Sequence, residues 1–384
     1  MYILVIARGF PTSRNPQWGC FEKDQAEALV KYGHKVVAMS VDARFERHRG
    51  RLGMHHFENA GVSYYNYVML PGVLFSKVIG FDSYSKHIKF HYYDKVYKKI
   101  VSIHGRPDII YSQFFFNTIA GVQLKEKYHI PVVAIEHLAR FNKSNLTKET
   151  EEGATYAFAG ADSLIAVADT LARNLEKRFG KKCFVVHNMY GNEFYYSPDA
   201  QKNTFPLVFV SAASLVYRKG FDMLIKAFAQ SKLPKESWKL NIIGWGEEVA
   251  NLEHLIDENH LQDNVSLLGK MGKEDIANEL RKSHVYVLPS RNENFSVAIL
   301  EGLATGLPVL ATDCGGIHEC IDEKNGIIVP VDDIDAMASA IKRMIETYSQ
   351  YDRKLIAEDC IKRYSPHAIV KQLTEIFQLT INRA

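Results

Sequence analysis

Short apolar runs, rich in β-branched residues, alternate along the chain with longer stretches whose apolar positions recur at helical spacing. The short runs predict strands at 2–7, 35–41, 62–67, 108–112, 131–135, 163–167 and 183–187. Further strands are predicted at 206–211, 239–243, 264–268, 285–288, 308–311 and 326–329. Helical segments fall between most of them. The first runs from about Phe21 through Ala26, Leu29 and Val30, and Gly33 stops it. Strands that are apolar throughout and separated by helices predict parallel sheets covered on both faces.

The stretch 191–206 is polar, carries turn residues and shows no period, and a fresh apolar strand follows it. The chain is therefore expected to divide into two α/β halves, residues 1–190 and 207–365, joined by a linker at 191–206. Sheets of this kind bind ligands at the carboxyl ends of their strands. The active site is expected where two such ends face each other, in a central cleft. No internal repeat of 20–50 residues is evident.

The chain has 384 residues, 47% hydrophobic and 24% charged, the balance of a soluble globular protein with two domains. Collagen, disordered tails and disulfide miniproteins are excluded. Five cysteines, an odd number without a CxxC pair, are expected to be small buried hydrophobes in a reducing compartment. No cysteine or histidine cluster has zinc-ligand spacing, so zinc is not expected. No run of 18 apolar residues exists, which predicts no membrane span. The opening run Tyr2–Ala7 is too short for a signal peptide and has no basic leader, so it reads as a buried strand. Residues 1–190 hold 26 Lys and Arg against 17 Asp and Glu, while the remainder holds 21 against 27. A basic first half points to an anionic partner, or is merely solvated charge.

The strongest chemical signal is the run Pro289 to Gly302, which follows strand 285–288 and opens a helix near Phe295. Free amides at a helix start favour an anion. Glu293 and Glu301 lie eight residues apart, about 12 Å at helical rise. That is too far for one acid/base pair, and it suits two distant parts of an extended ligand. The alternative is a dipole-favouring acid plus a solvated one. Ser214, Arg218 and Lys219-Gly220 stand at a strand-to-helix junction, where the cations can clamp phosphate or simply be solvated. Gly315-Gly316 permits close backbone approach, or is a tight turn. His137 ends strand 131–135, facing the cleft or structurally satisfied. Asp333-Ile334-Asp335 resembles a metal-binding DxD, though helix capping accounts for it. The loop after strand 2–7 has no GxGxxG, which disfavours a nicotinamide dehydrogenase, and neither GxxxxGK[ST] nor GxSxG occurs.

Together these segments resemble the family-4 retaining glycosyltransferases of the GT-B fold over nearly the whole chain. Glu293 and Glu301 match the family's E-x7-E motif, and Lys219-Gly220 its lysine-glycine step. Gly19-Cys20-Phe21 looks like the N-terminal glycine loop that closes on the donor diphosphate. His137 matches the histidine beside the sugar. Gly315-Gly316 with Glu319 fits too, and His187-Asn188 resembles the segment leading to the linker. The resemblance implies two Rossmann-like, doubly wound parallel-sheet domains facing a central cleft. The first binds the acceptor and the second the nucleotide sugar, and a C-terminal helix, 366–384, crosses back onto the first.

It also implies hexosyl transfer from a UDP- or GDP-sugar with retained configuration and no divalent metal or other cofactor. Lys219 and Arg218 stabilise the diphosphate, and Glu293, with the amides of Phe295, Ser296 and Val297, holds the donor sugar. Glu301 binds the ribose, and His137 positions the reacting sugar. A glycan or lipid-linked glycan acceptor, surface polysaccharide synthesis and the cytoplasmic face of the membrane are implied, with no nucleic acid partner. The basic, aromatic stretch 77–99 fits peripheral contact with anionic lipid, or an ordinary amphipathic helix over 88–103. Departures are Ser214 for a usual arginine, Asn294 for a usual glycine and Gly302 for a usual alanine. The alternatives are a GT-B nucleotide-sugar epimerase and a catalytically inert GT-B partner subunit.

Overall fold

A computed structural model describes residues 1–11, 18–44, 51–70, 84–143, 145–198 and 205–384, with backbone alone at 84–86. The chain forms two compact units, Met1–His187 with Ile369–Ala384, and Asn188–Ala368. Each is built on one sheet.

In unit 1 the strands are β1 (Tyr2–Ile6), β2 (Lys35–Asp42), β3 (Gly53–Asn59), β4 (Val62–Val68), β5 (Ile109–Gln113), β6 (Val132–Glu136), β7 (Ser163–Ala166) and β8 (Cys183–Val185). Their order is β3-β4-β2-β1-β5-β6-β7-β8. Helices α1 (Cys20–Lys31), α2 (Phe90–His104), α3 (Phe115–Tyr128), α4 (Lys148–Gly160) and α5 (Asp169–Phe179) connect them. A π-helical segment, Tyr84–Lys89, runs into α2. All of β1, β5 and β6 is buried, as runs without polar alternation require. The expectation of a wholly parallel sheet is corrected at one edge, where β3 pairs antiparallel with β4. β3 has no apolar alternation, because most of its side chains face solvent.

Unit 2 holds β9 (Leu207–Ala212), β10 (Trp238–Ile243), β11 (Val265–Gly269), β12 (Val285–Leu288), β13 (Val309–Thr312) and β14 (Gly326–Val329). Every pairing is parallel, in the order β11-β10-β9-β12-β13-β14. Around it lie α6 (Phe221–Ser231), α7 (Val249–Glu258), α8 (Lys273–Lys282), α9 (Val297–Ala304), α10 (Ile334–Thr347) and α11 (Arg353–Tyr364). Trp238 stacks on Phe228 at 4.5 Å in a core that includes Phe209, Leu240, Val287 and Ile341. Each predicted strand is present within two residues of its expected bounds.

Numbered from its own first strand, the unit 2 sheet runs 3-2-1-4-5-6, the doubly wound order. Unit 1 repeats that order once β3 is set aside, with β8 added as a seventh strand at the far edge. Such a sheet opens a crevice where the winding reverses, between β9 and β12 in unit 2 and between β1 and β5 in unit 1. The helix α12 (Pro366–Ile381) belongs to unit 1 from Ile369 onward. There His34 Nε2 bonds Thr374 at 2.9 Å, and Ser163 bonds Thr380 at 2.8 Å. Residues 188–198, expected within or beside a linker, pack with unit 2. Phe194 is buried, and Arg281 donates to the Glu193 carbonyl at 2.9 Å. Residues 199–204 of the expected linker lie outside the described residues.

Candidate functional site

The unit 2 crevice is walled by the loops that follow β9, β12 and β13. Lys219 Nζ, from the first loop, donates to Glu293 Oε1 of the second at 2.5 Å. Ser290 Oγ donates to the same oxygen at 2.9 Å. Both partners of the ion pair are largely covered, which strengthens it relative to a solvated one. Arg218 Nη1 donates to the Asn292 carbonyl at 2.8 Å and stands 3.7 Å from Glu293 Oε1. Lys219, Arg218 and Ser290 thus meet on one carboxylate, which joins two segments that the sequence singled out separately.

Glycines let these loops touch. Gly220 has φ 69°, and a Cβ there would sit 1.9 Å from the Pro289 carbonyl oxygen. Gly315, at φ 71°, would place a Cβ 2.0 Å from the Glu293 backbone carbonyl oxygen. The Gly316 amide donates to Asn294 O at 2.7 Å. The close approach that Gly315-Gly316 permits is therefore to the Glu293 loop. Arg291 fastens the outside of the same loop. Its guanidinium forks onto Asp222 at 2.8 and 2.9 Å, reaches Asp332 at 2.7 Å and lies over the Tyr217 ring at 3.9 Å. Burial pushes the Asp222 carboxyl up, but Arg291 outweighs it and holds the group below its usual range.

Asn294, Phe295 and Ser296 are buried at the turn, and α9 begins at Val297. Asn188 Nδ2 fixes the turn by donating to Phe295 O at 2.9 Å. Glu293 therefore precedes the helix, and helical rise applies only from Val297 to Glu301. Glu301 lies near Tyr286, whose phenol is raised first by burial and then by Glu301. A Cβ at Gly302 would meet the Tyr286 ring at 2.8 Å, which favours glycine there. Ser214 is exposed at the start of the β9 loop. Asp333 caps α10, its Oδ1 accepting from the Ala336 amide at 2.8 Å, so the capping account of the DxD string holds.

His137 and Gly19 lie in unit 1. Gly19, φ 71°, precedes α1, and a Cβ there would overlap the Gly9 carbonyl. His137 Nε2 lies 2.8 Å from Gln113 Oε1, and Gln113 Nε2 donates to Gln25 Oε1 at 2.7 Å. Beside His137 is a residue to which the sequence assigned no role. Glu136, fully buried, accepts from the Phe115 amide at 2.9 Å and from the His137 and Leu138 amides at 2.8 Å each. Burial pushes its carboxyl up to about 7 against those three bonds. It ties the β6 end to the β5 turn, where Phe114 has φ 69°. Isolated from its fold, an acid beside a histidine gives no sign of this.

Among the described residues no helix is long and apolar enough to cross a membrane. Of the basic stretch 77–99, residues 77–83 lie outside the described residues. The helix that follows buries Tyr93, Val96, Tyr97 and Ile100 in its own unit, as the amphipathic-helix account requires.

Residues 23–190 match the family profile Glycosyltransferase Family 4, and residues 196–358 match Glycosyl transferases group 1. A glycosyltransferase of Methanocaldococcus jannaschii is 28% identical over 282 residues, 70% of this chain and 76% of the relative. The amylovoran biosynthesis glycosyltransferase AmsK of Erwinia amylovora is 29% identical over 182 residues, 45% of each chain. The crystal structure of Anabaena HepE with UDP-glucose aligns at a TM-score of 0.73 and 17% identity, covering 98% of this chain and 99% of that one. Two doubly wound units with a basic, carboxylate-bearing crevice define the class, a GT-B transferase. The chain belongs to the glycosyltransferases whose two halves are the family-4 and group-1 domains.

Proposed function

We propose that this chain is a retaining hexosyltransferase that moves a sugar from a UDP- or GDP-sugar to a glycan or lipid-linked glycan in surface polysaccharide synthesis. The observation that carries it is the Lys219–Glu293 pair at the unit 2 switch point. Donor binding exchanges that pair. The ammonium turns to the leaving diphosphate, joined by Arg218, and the Glu293 carboxylate turns to hydroxyls of the donor sugar. Lys219 and Arg218 supply the positive charge that a divalent ion supplies elsewhere. Glu301 serves the ribose, and the Phe295–Val297 amides assist at the sugar. His137, in unit 1, positions the reacting sugar. The polysaccharide assignment draws support from the amylovoran relative, and the nucleotide-sugar assignment from UDP-glucose in HepE. The exposed Lys95, Lys98 and Lys99 of unit 1 are proposed to meet anionic lipid at the cytoplasmic face.

A thermal-shift panel of UDP-, GDP- and ADP-sugars tests the donor, since a ligand of the folded state raises the melting temperature. One nucleotide class should stabilise the protein in EDTA as well as without it. Proton NMR of the product should then show the donor's anomeric configuration. No shift with any sugar nucleotide, or an inverted product, contradicts the proposal.

A further inference from the structure

Among the described residues, Arg8, Arg44 and Lys89 stand at the carboxyl edge of the unit 1 sheet, and the first two are answered by carboxylates. Arg8 donates to Glu22 at 2.6 and 3.1 Å. Arg44 forks onto Asp42 at 3.0 and 2.7 Å. The third, Lys89, is the last residue of the segment entering α2. Among the described residues its ammonium has no hydrogen-bond acceptor and no ion-pair partner, and it lies over the rings of Tyr93 at 5.6 Å and Phe116 at 6.0 Å. Burial pushes its pKa down to about 8, despite attraction from Asp42. A lysine on a surface ordinarily extends its head into water. Lys89 is half-buried, and covering part of the head without a carboxylate partner is unfavourable, a penalty that an incoming anion reduces.

Its location adds a second argument. Phe116 is stacked on Phe114, 5.4 Å between centroids and 9° from parallel. Phe114 in turn touches His137 at 4.9 Å and carries Arg8 over its face at 4.3 Å. These residues come from the loops after β1, β5 and β6, so they flank the unit 1 switch point. Two aromatic rings separate the unanswered ammonium from the histidine expected at the reacting sugar. Flat ring faces suit the apolar face of a sugar, and an ammonium suits an anion attached to it.

We propose that Lys89 is an anion subsite for the acceptor, which carries a phosphate or carboxylate close to the hydroxyl that is glycosylated. The proposal rests on unit 1 being the acceptor side of a glycosyltransferase. The excess of basic residues over residues 1–190 agrees with an anionic acceptor. A neutral glycan would bring the ammonium no counter-charge.

The full chain, with lysines reductively methylated with ¹³C, gives one NMR signal per lysine. The Lys89 signal is assigned by its loss in Lys89→Gln. Glycerol phosphate, glucuronate and glucose are the probes. The phosphate ester or the sugar acid should move the Lys89 signal and raise its titration midpoint, while glucose leaves it in place. The anion with the larger effect distinguishes a phosphorylated acceptor from a uronic acid. Lys89→Arg should keep anion binding, and Lys89→Gln should bind UDP as the wild type does. A Lys89 signal that ignores both anions, or follows glucose equally, overturns the subsite. Titration of UDP and of GDP into the wild type keeps the two failures apart. UDP or GDP bound with Lys89 unmoved removes the subsite alone.

Discussion

Lys219 and Glu293 share a 2.5 Å hydrogen bond between the loops that follow the first and fourth strands of unit 2. The two strands are neighbours across the switch point, so residues 74 apart in sequence meet where a doubly wound sheet binds its ligand. The pair holds each charge in check while the site is empty. Glu293→Gln removes the carboxylate and leaves Lys219 free for a diphosphate. UDP should therefore bind this variant at least as tightly as the wild type, while turnover falls about 10²-fold, the scale of a misplaced reacting centre. Calorimetry and initial rates check both halves. UDP binding weakened tenfold would mean Glu293 holds the nucleotide.

Glu136 should set the acid limb of the pH profile. Its carboxylate form holds the His137, Leu138 and Phe115 amides, and its carboxyl is pushed up to about 7. Protonation as pH falls through that value removes an acceptor from the turn, so kcat should decline there. Glu136→Gln should lower kcat and lose that limb, with donor KM little changed. Stability has the opposite sign. A carboxyl raised in the folded state binds its proton more tightly there than in the unfolded chain, so its contribution favours folding as pH falls through 7 toward the ordinary range. His137 and Arg140 are the neighbours that titrate or carry charge. Melting curves from pH 8 to pH 5 should show this slope in the wild type and its loss in the glutamine variant.

Much of the site was legible because strand ends and turn residues are local signals. Lys219-Gly220, Glu293 and Gly315-Gly316 each follow an apolar run, and each stands at a strand's carboxyl end. What escaped depends on contacts between distant segments. β3 carries exposed residues and is a strand only through its pairing with β4. Arg291 looks like one more loop cation until Asp222 and Asp332 close on it. The aperiodic stretch near 191 gave no hint that Phe194 is buried. Helical spacing overextended the account of Glu293, because the segment before Val297 is a turn.

Arg291→Ala should destabilise unit 2, since it strips Asp222 of a fork and frees the Tyr217 and Asp332 loops. The loss is on the order of 1–3 kcal/mol, the cost of stranding a partly buried charged partner. Lysine restores charge without the fork, so Arg291→Lys should recover only part of it. Urea unfolding followed at unit 2 tryptophans reads the difference. Equal stability of all three proteins would show the network to be solvated.

Gly302→Ala should destabilise this chain because its Cβ meets the Tyr286 ring at 2.8 Å. Shortening the ring should relieve the overlap. Gly302→Ala with Tyr286→Leu is therefore expected to be more stable than the sum of the two single losses. A double-mutant cycle by thermal melting checks this, and strict additivity would place the conflict elsewhere.

The unit 2 crevice is proposed to hold a nucleotide diphosphate through Lys219. Calorimetric titration of UDP and GDP into the wild type and Lys219→Ala tests it directly. One nucleotide should bind the wild type and bind Lys219→Ala at least tenfold more weakly, about 1.4 kcal/mol. Equal affinity for both proteins, or no binding of either nucleotide to the wild type, would contradict the account.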